Sequence, residues 1–456
     1  MVFICLMAAA TKALSGKVNS DVRVMEVRSS TFKAAVYAHD VYIPIAPYVV
    51  SRAQALRNME INLETYRTQV DLARQQVQRL RRAGRFELYG QEEYQFNTDV
   101  AYGPDGKFLA KYHKYNLYNE GQFDTPSNPE HAFFDTPFGR VGLATCFDIL
   151  FREPIVSLVE EFNVTIIAFP TAWMDALPLL PAIGFHSSFA RAHGVNLLAA
   201  NIQLPLFKFD GSGLYAPDGA RAFYYSKRMS PKLLVASMDV VRSPQGASSL
   251  TITPQQSVKH FFASRSSQLD EVFGVKKARG PIGDHSIADN NSTFESELFN
   301  DMYTFQALVG SSGKLQMCQG KLCCYIEYQI DTTTLNSVDE ELFAFGAFDG
   351  LHTYDGNYYM QNCVLVKCAD TKKKKSCGSL TTTASTVFTK ISLRGEFQTK
   401  YVYPQVILSD DHDQLALTRP EAWTFDGKAL ETSASFSSTV LNAILLGRDY
   451  SRDKYW

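Results

Sequence analysis

Six of the eight cysteines crowd into the C-terminal third, at Cys318, Cys323, Cys324, Cys363, Cys368 and Cys377, leaving only Cys5 and Cys146 before them. Cysteines this dense constrain a fold strongly, because each bridge holds two backbone segments within about 7 Å of each other. Adjacent Cys323 and Cys324 would be strained if joined to each other, which sends them to different partners. With Cys5 assigned to a leader and Cys146 reserved, an even six remains, which fits three disulfides and an oxidising compartment. Six buried thiols in a cytosolic protein is the competing reading. A zinc site is disfavoured, since no histidine stands at ligand spacing from these cysteines. The Lys372 to Lys375 run inside the cluster reads as a solvated loop.

Other features bear on the compartment. Val2 to Ala10 is a short apolar run followed by Ala13-Leu14-Ser15-Gly16, so residues 1–15 read as a signal peptide, although a basic n-region is lacking and a misplaced start is the alternative. Asn163-Val164-Thr165 and the overlapping sequons at Asn290 and Asn291 have the form of glycan acceptors. A secreted protein is the expectation. No apolar run reaches the roughly 18 residues a membrane span needs, and Lys454-Tyr455-Trp456 carries no apolar tail for a lipid anchor. A formal charge of −2 gives no field that would favour nucleic acid or an anionic membrane, so the expected partner is a small molecule. A monomer is a separate expectation that no sequence feature argues.

At 456 residues the chain is long enough for two domains. Thr31 to Ile43 reads as a strand and Ser51 to Leu80 as a long helix with a basic end. Phe96 to Tyr102 and Lys107 to His113 form a hairpin around Gly103-Pro104-Asp105-Gly106. Arg140 to Thr145 is a strand running into Cys146, Val164 to Phe169 and Val195 to Ile202 are buried strands, and Pro181 to His193 is a helix capped by Gly194. This alternation predicts α/β layers over 31–243. Ser, Gln, Pro and Thr then dominate up to Gln256, which marks a boundary, and 257–456 reads as a β-rich domain with strands at 324–329, 358–366, 387–393 and 399–407.

Chemistry centres on Cys146, a thiol at a strand end where a turn and a helix follow, so that backbone N–H groups converge on it. An isolated cysteine is more often a small buried hydrophobe. Its surroundings decide otherwise. Thr145-Cys146-Phe147-Asp148-Ile149-Leu150-Phe151, Phe169-Pro170-Thr171-Ala172-Trp173-Met174 and Leu198-Ala199-Ala200-Asn201 resemble segments of the nitrilase superfamily. Lys111-Tyr112-His113-Lys114-Tyr115-Asn116-Leu117-Tyr118, Gly211-Ser212-Gly213 and Ala347-Phe348-Asp349-Gly350-Leu351-His352-Thr353 are similar to strings of its biotinidase and vanin branch. The likeness runs over 31–70 and 94–452 in one order.

The resemblance implies a nitrilase-like α-β-β-α sandwich followed by a β-rich base domain, and hydrolysis of a linear carbon–nitrogen amide through a Glu–Lys–Cys triad. Cys146 would attack the carbonyl to form a thioester, and Lys114, beside the N–H of Phe147, would stabilise the oxyanion. Glu120 matches a second carboxylate that orients the lysine and positions water. Trp173, Phe147 and His186 fall in the pocket segments as substrate contacts, with packing the competing role for Trp173 and His186. Pantetheine is the first substrate implied and a biotin amide the second. No metal or organic cofactor is implied, because the thiolate does the covalent work.

One departure stands out. The family's general-base glutamate, in a strand reading approximately Pro-Glu-Asp, has no counterpart between Gln76 and Glu93, where a strand-helix-strand piece is missing. Glu87 lacks a preceding proline, and Glu92 and Glu93 read as solvent-facing. A faulty gene model, a splice form and a non-catalytic binding module are the three accounts. No GxSxG elbow, Walker loop or dinucleotide fingerprint appears, and flanking residues do not support a Cys–His dyad with His186 or His193.

Overall fold

The computed structural model describes residues 30–39, 64–65, 67–68, 94, 96–103, 105–121, 123–241, 293–333, 341–410 and 412–453. The expected leader over 1–15, most of the 51–80 helix, Glu87, Glu92 and Glu93, the boundary after 243 and the sequons at Asn290 and Asn291 lie outside these residues.

Among the described residues of the first half, ten strands run in chain order: Thr31–Ala38 (β1), Thr98–Tyr102 (β2), Phe108–His113 (β3), Phe133–Thr136 (β4), Gly139–Leu143 (β5), Ile166–Thr171 (β6), Asn196–Asn201 (β7), Ser212–Ala216 (β8), Gly219–Tyr224 (β9) and Lys232–Asp239 (β10). Two helices, Ser157–Glu160 (α1) and Ala182–His193 (α2), lie on the crossovers. Strands β4 to β9 form one sheet in sequence order, with β5, β6 and β7 parallel and their flanks antiparallel. All residues of β6 and β7 are buried, as expected where a parallel sheet is covered on both faces.

A second layer covers one face of this sheet. It consists of the antiparallel pair β1–β10 and the hairpin β2–β3, which share no ladder with each other among the described residues. The layers meet through Phe32, Val36, Tyr112, Leu143, Ile166, Leu198 and Met238, giving the β–β core of a sandwich. On the other face lies α2. Pro181 precedes it in extended conformation, and Gly194 ends it at φ 65°, where a side chain would be strained.

The inward residues of α2 pack outward onto the second domain as well. Phe185 and Phe189 meet the Tyr403 ring at 5.5 and 5.9 Å, the Gln405 amide donates to Leu179 O at 2.6 Å, and the Asn442 amide donates to Pro178 O at 2.9 Å. That domain is a curled antiparallel sheet whose central strands include Phe343–His352, Tyr358–Lys367 and Ser438–Arg448. Its disulfides are Cys318–Cys323, Cys324–Cys363 and Cys368–Cys377, so the adjacent cysteines do take separate partners. Among the described residues no helix is long and apolar enough to cross a membrane.

Candidate active site

Parallel strands place their ligands beyond their carboxyl ends, and three such ends converge here. β5 leads through Thr145 to Cys146, β6 to Trp173, and β7 ends on Asn201. Cys146 is the free cysteine of the described residues, partly exposed, and it adopts φ 51° at the start of the 3-10 turn Cys146–Leu150. A side chain in this left-handed region is strained by about 1–3 kcal/mol, a cost typical of positions held for chemistry.

What holds that conformation is Asp148, fully buried two residues on. One of its carboxylate oxygens accepts from Thr145 N at 2.9 Å and from the Tyr112 hydroxyl at 2.7 Å, and the other accepts from Asn116 N and Nδ2 at 3.0 and 2.9 Å. Burial raises its pKa, against the Lys114 charge and these donors, which favour the carboxylate. The Thr145 hydroxyl donates to Asp99 at 2.5 Å, a second buried carboxyl whose pKa burial pushes up to about 8. Sequence reading missed Asp148 and Asp99. Thr145-x-x-Asp148 carried a usable signal, since it has the S/T-x-x-D/E form in which the acid reaches back to the backbone N–H of the first residue.

Lys114 and Glu120 meet where β3 ends. Lys114 is 2 % exposed and donates to the Glu120 carboxylate, which also accepts from Asn97 Nδ2 at 2.7 Å and Tyr118 N at 3.2 Å. Lys114 N bonds Asn97 O at 2.8 Å, so the lysine and its acid share one anchor. Burial works against the ammonium, yet the negative charges of Cys146, Glu120 and Asp148 together hold its pKa above the ordinary lysine value. No other carboxylate bonds Lys114 among the described residues.

Cys146 opens on a cavity of about 570 Å³, within the range of small-molecule sites. Phe147 and Trp173 line it too. Trp173 is held by its backbone N–H to Asn201 Oδ1 at 2.9 Å and by its indole N–H to Leu180 O at 3.0 Å. The expectation for His186 needs correction. It is fully buried, with its ring edge-on to Trp173 at 5.3 Å and to Phe169 at 5.2 Å, and burial drops its pKa to about 3. It backs Trp173 and does not line the cavity, because α2 turns this side chain into the apolar core.

The outer wall was not anticipated at all. Phe299, Asn300, Tyr354 and Asp355 of the second domain line the same cavity as Cys146. They sit in turns between strands, where residue type carries little sign of what the turn will cover.

Residues 51–237 match the carbon–nitrogen hydrolase family model, and residues 292–453 match that of the vanin C-terminal domain. The pantetheinase of Sus scrofa is 42 % identical over 362 residues, covering 79 % of this chain and 63 % of that protein. For the pantetheinase of Homo sapiens the figures are 40 % over 362 residues, 79 % and 64 %. The biotinidase of Mus musculus is 39 % identical over 370 residues, covering 79 % of this chain and 68 % of that protein. The chain therefore spans somewhat less than two thirds of the length of the pantetheinases it matches.

Proposed function

Because this chain belongs to the vanin and biotinidase family of carbon–nitrogen hydrolases, we propose that it hydrolyses a linear amide, with pantetheine giving pantothenate and cysteamine as the preferred reaction. The observation that supports this reading is a partly exposed cysteine, strained at φ 51° on a cavity, together with a buried lysine paired to Glu120 at the end of β3.

In the first half-reaction the Cys146 thiolate forms a C–S bond to the amide carbon. The carbonyl electrons move to oxygen, where the Lys114 ammonium and the Phe147 N–H meet the developing charge. Collapse breaks the C–N bond and the amine leaves with the proton that the Cys146 thiol gave up, giving a thioester on Cys146. Water then adds to the thioester, Glu120 positioning it while holding Lys114, and releases the acid and the thiol. On this reading the thiol proton lacks the family's general-base glutamate, which has no counterpart between Gln76 and Glu93. Loss of a general base lowers rates by about 10²–10⁴, so slow turnover is expected.

The protein is read as secreted, supported by the three disulfides. The likeness to biotinidase keeps a biotin amide as the second substrate. An assay of amine release from pantetheine and from biocytin tests the reading. Turnover of one of them that Cys146→Ala abolishes supports it, whereas a well-folded chain that releases neither amine is a binding module.

A further inference from the structure

His352 closes the strand Phe343–His352 and is completely buried. Its Nδ1 lies 2.7 Å from Asp301 Oδ2 and its Nε2 lies 2.8 Å from Asp355 Oδ1, while its face stacks on Phe299 at 4.4 Å with an interplanar angle of 3°. These three neighbours belong to two separate turns. Phe299 and Asn300, at φ 55° and 59°, turn the hairpin that ends in Asp301, and Asp355 lies in the connection to Tyr358–Lys367. Both turns wall the cavity, through Phe299, Asn300, Tyr354 and Asp355. The second turn also presses on the residue after the nucleophile: a Cβ on Gly356 would stand 3.1 Å from the Phe147 ring. His352 itself does not line the cavity.

We propose that His352 is a positioning residue for substrate binding: by joining Asp301 to Asp355 it fixes the two second-domain turns that wall the Cys146 cavity. The proposal rests on the hydrolase reading above for its kinetic consequence, though not for its structural one. A ring with a carboxylate at each nitrogen must donate from both, which only the imidazolium can do. The neutral ring donates once and leaves one turn untied.

Burial pulls the His352 pKa down, but the bonds to Asp301 and Asp355 outweigh it and hold the ring at about 8. The other groups facing the cluster are Tyr358, which donates to Asp355 at 2.8 Å, Tyr118 and Tyr354, whose rings feel the Asp355 charge or border it, and Arg448, 4.8 Å from the Tyr358 ring. Burial first, then Asp355, pushes the Tyr358 and Tyr118 phenols above their ordinary range, so they keep their protons where His352 loses its own. The sign follows from a folded pKa above the unfolded one. The clamp is complete below the ordinary histidine value and is lost as pH rises through about 8.

The test combines kinetics with hydrogen exchange on the full chain. Pantetheine KM should climb about tenfold from pH 7 to pH 9, with kcat changing much less, and His352→Gln should show the raised KM at both values. Peptides covering 299–301 and 353–357, corrected for intrinsic rates, should exchange about tenfold faster in His352→Gln, and in the wild type at pH 9, than in the wild type at pH 7. A wild-type KM in His352→Gln, or unchanged exchange of both peptides, overturns the proposal. If neither protein releases amine from pantetheine or from biocytin, the hydrolase reading fails while exchange still decides the clamp. If His352→Gln does not fold, Asp355→Asn takes its place in the exchange measurement, with unchanged exchange again overturning it.

Discussion

The Lys114 ammonium, 2 % exposed, is bonded to the Glu120 carboxylate, and the same carboxylate is held from the other side by Asn97. Glu120 therefore fixes where the ammonium points and keeps it charged. Lys114→Met should lower kcat by about 10²–10³, the loss seen when one oxyanion donor is removed. Glu120→Gln keeps an acceptor but loses the charge, so burial gains on the ammonium. Because the Lys114 pKa is raised, its contribution is present below the ordinary lysine value and is lost as pH rises through the folded one. In Glu120→Gln the alkaline limb of kcat should move to lower pH, which a pH–rate profile reads directly.

Cys146 keeps a left-handed backbone, at φ 51°, that glycine would adopt without strain. Cys146→Gly and Cys146→Ala both remove the thiol and should both be inactive. They differ in strain, and the glycine variant should be more stable than the alanine variant by about 1 kcal/mol. Denaturant midpoints of the two variants check this, and equal midpoints would mean that the turn relaxes around alanine.

Legibility followed physical locality. The strand into Cys146, the helix over 182–193 with Gly194 at its end, and the hairpin around Gly103 are set by neighbouring residues, and all lie close to where the sequence puts them. Cys146, Lys114 and Glu120 stood out through a shared motif, and the fold pairs Lys114 with Glu120 and sets Cys146 on the cavity. Ser438–Arg448 did not stand out, because STVLNAILLGR is apolar without alternation and only its buried place beside Tyr358–Lys367 makes it a strand. His186 misled because a polar residue beside a pocket motif says nothing about which way its helix face turns. Asp355 and Phe299 reach the cavity through a domain contact that no local pattern encodes.

Asp99 should give a pH-dependent stability signature. Its carboxyl is buried, one oxygen has no hydrogen-bond partner among the described residues, and burial, opposed by the Thr145 hydroxyl, lifts its pKa to about 8. A raised carboxyl pKa means the folded state prefers the proton. Stability is then highest below the unfolded aspartate value and falls as pH rises towards about 8. Asp99→Asn has the same shape, can still accept from Thr145, and removes the ionisation. It should match the wild type in denaturant midpoint near pH 4 and exceed it near pH 8.

The three disulfides should differ in weight because they close loops of different length. Cys324–Cys363 spans 39 residues, and both of its cysteines are fully buried, whereas Cys318–Cys323 spans only 5 at a hairpin tip. The chain-entropy account gives about 4 kcal/mol for the first and about 2 kcal/mol for the second. Replacing Cys324 and Cys363 together by alanine also removes packing between strands Leu322–Ile330 and Tyr358–Lys367, so its loss should be at least twice that of the Cys318/Cys323 pair. Thermal unfolding of the two double variants measures the ratio. Equal losses would show that the buried bridge is carried by the surrounding sheet and not by its loop.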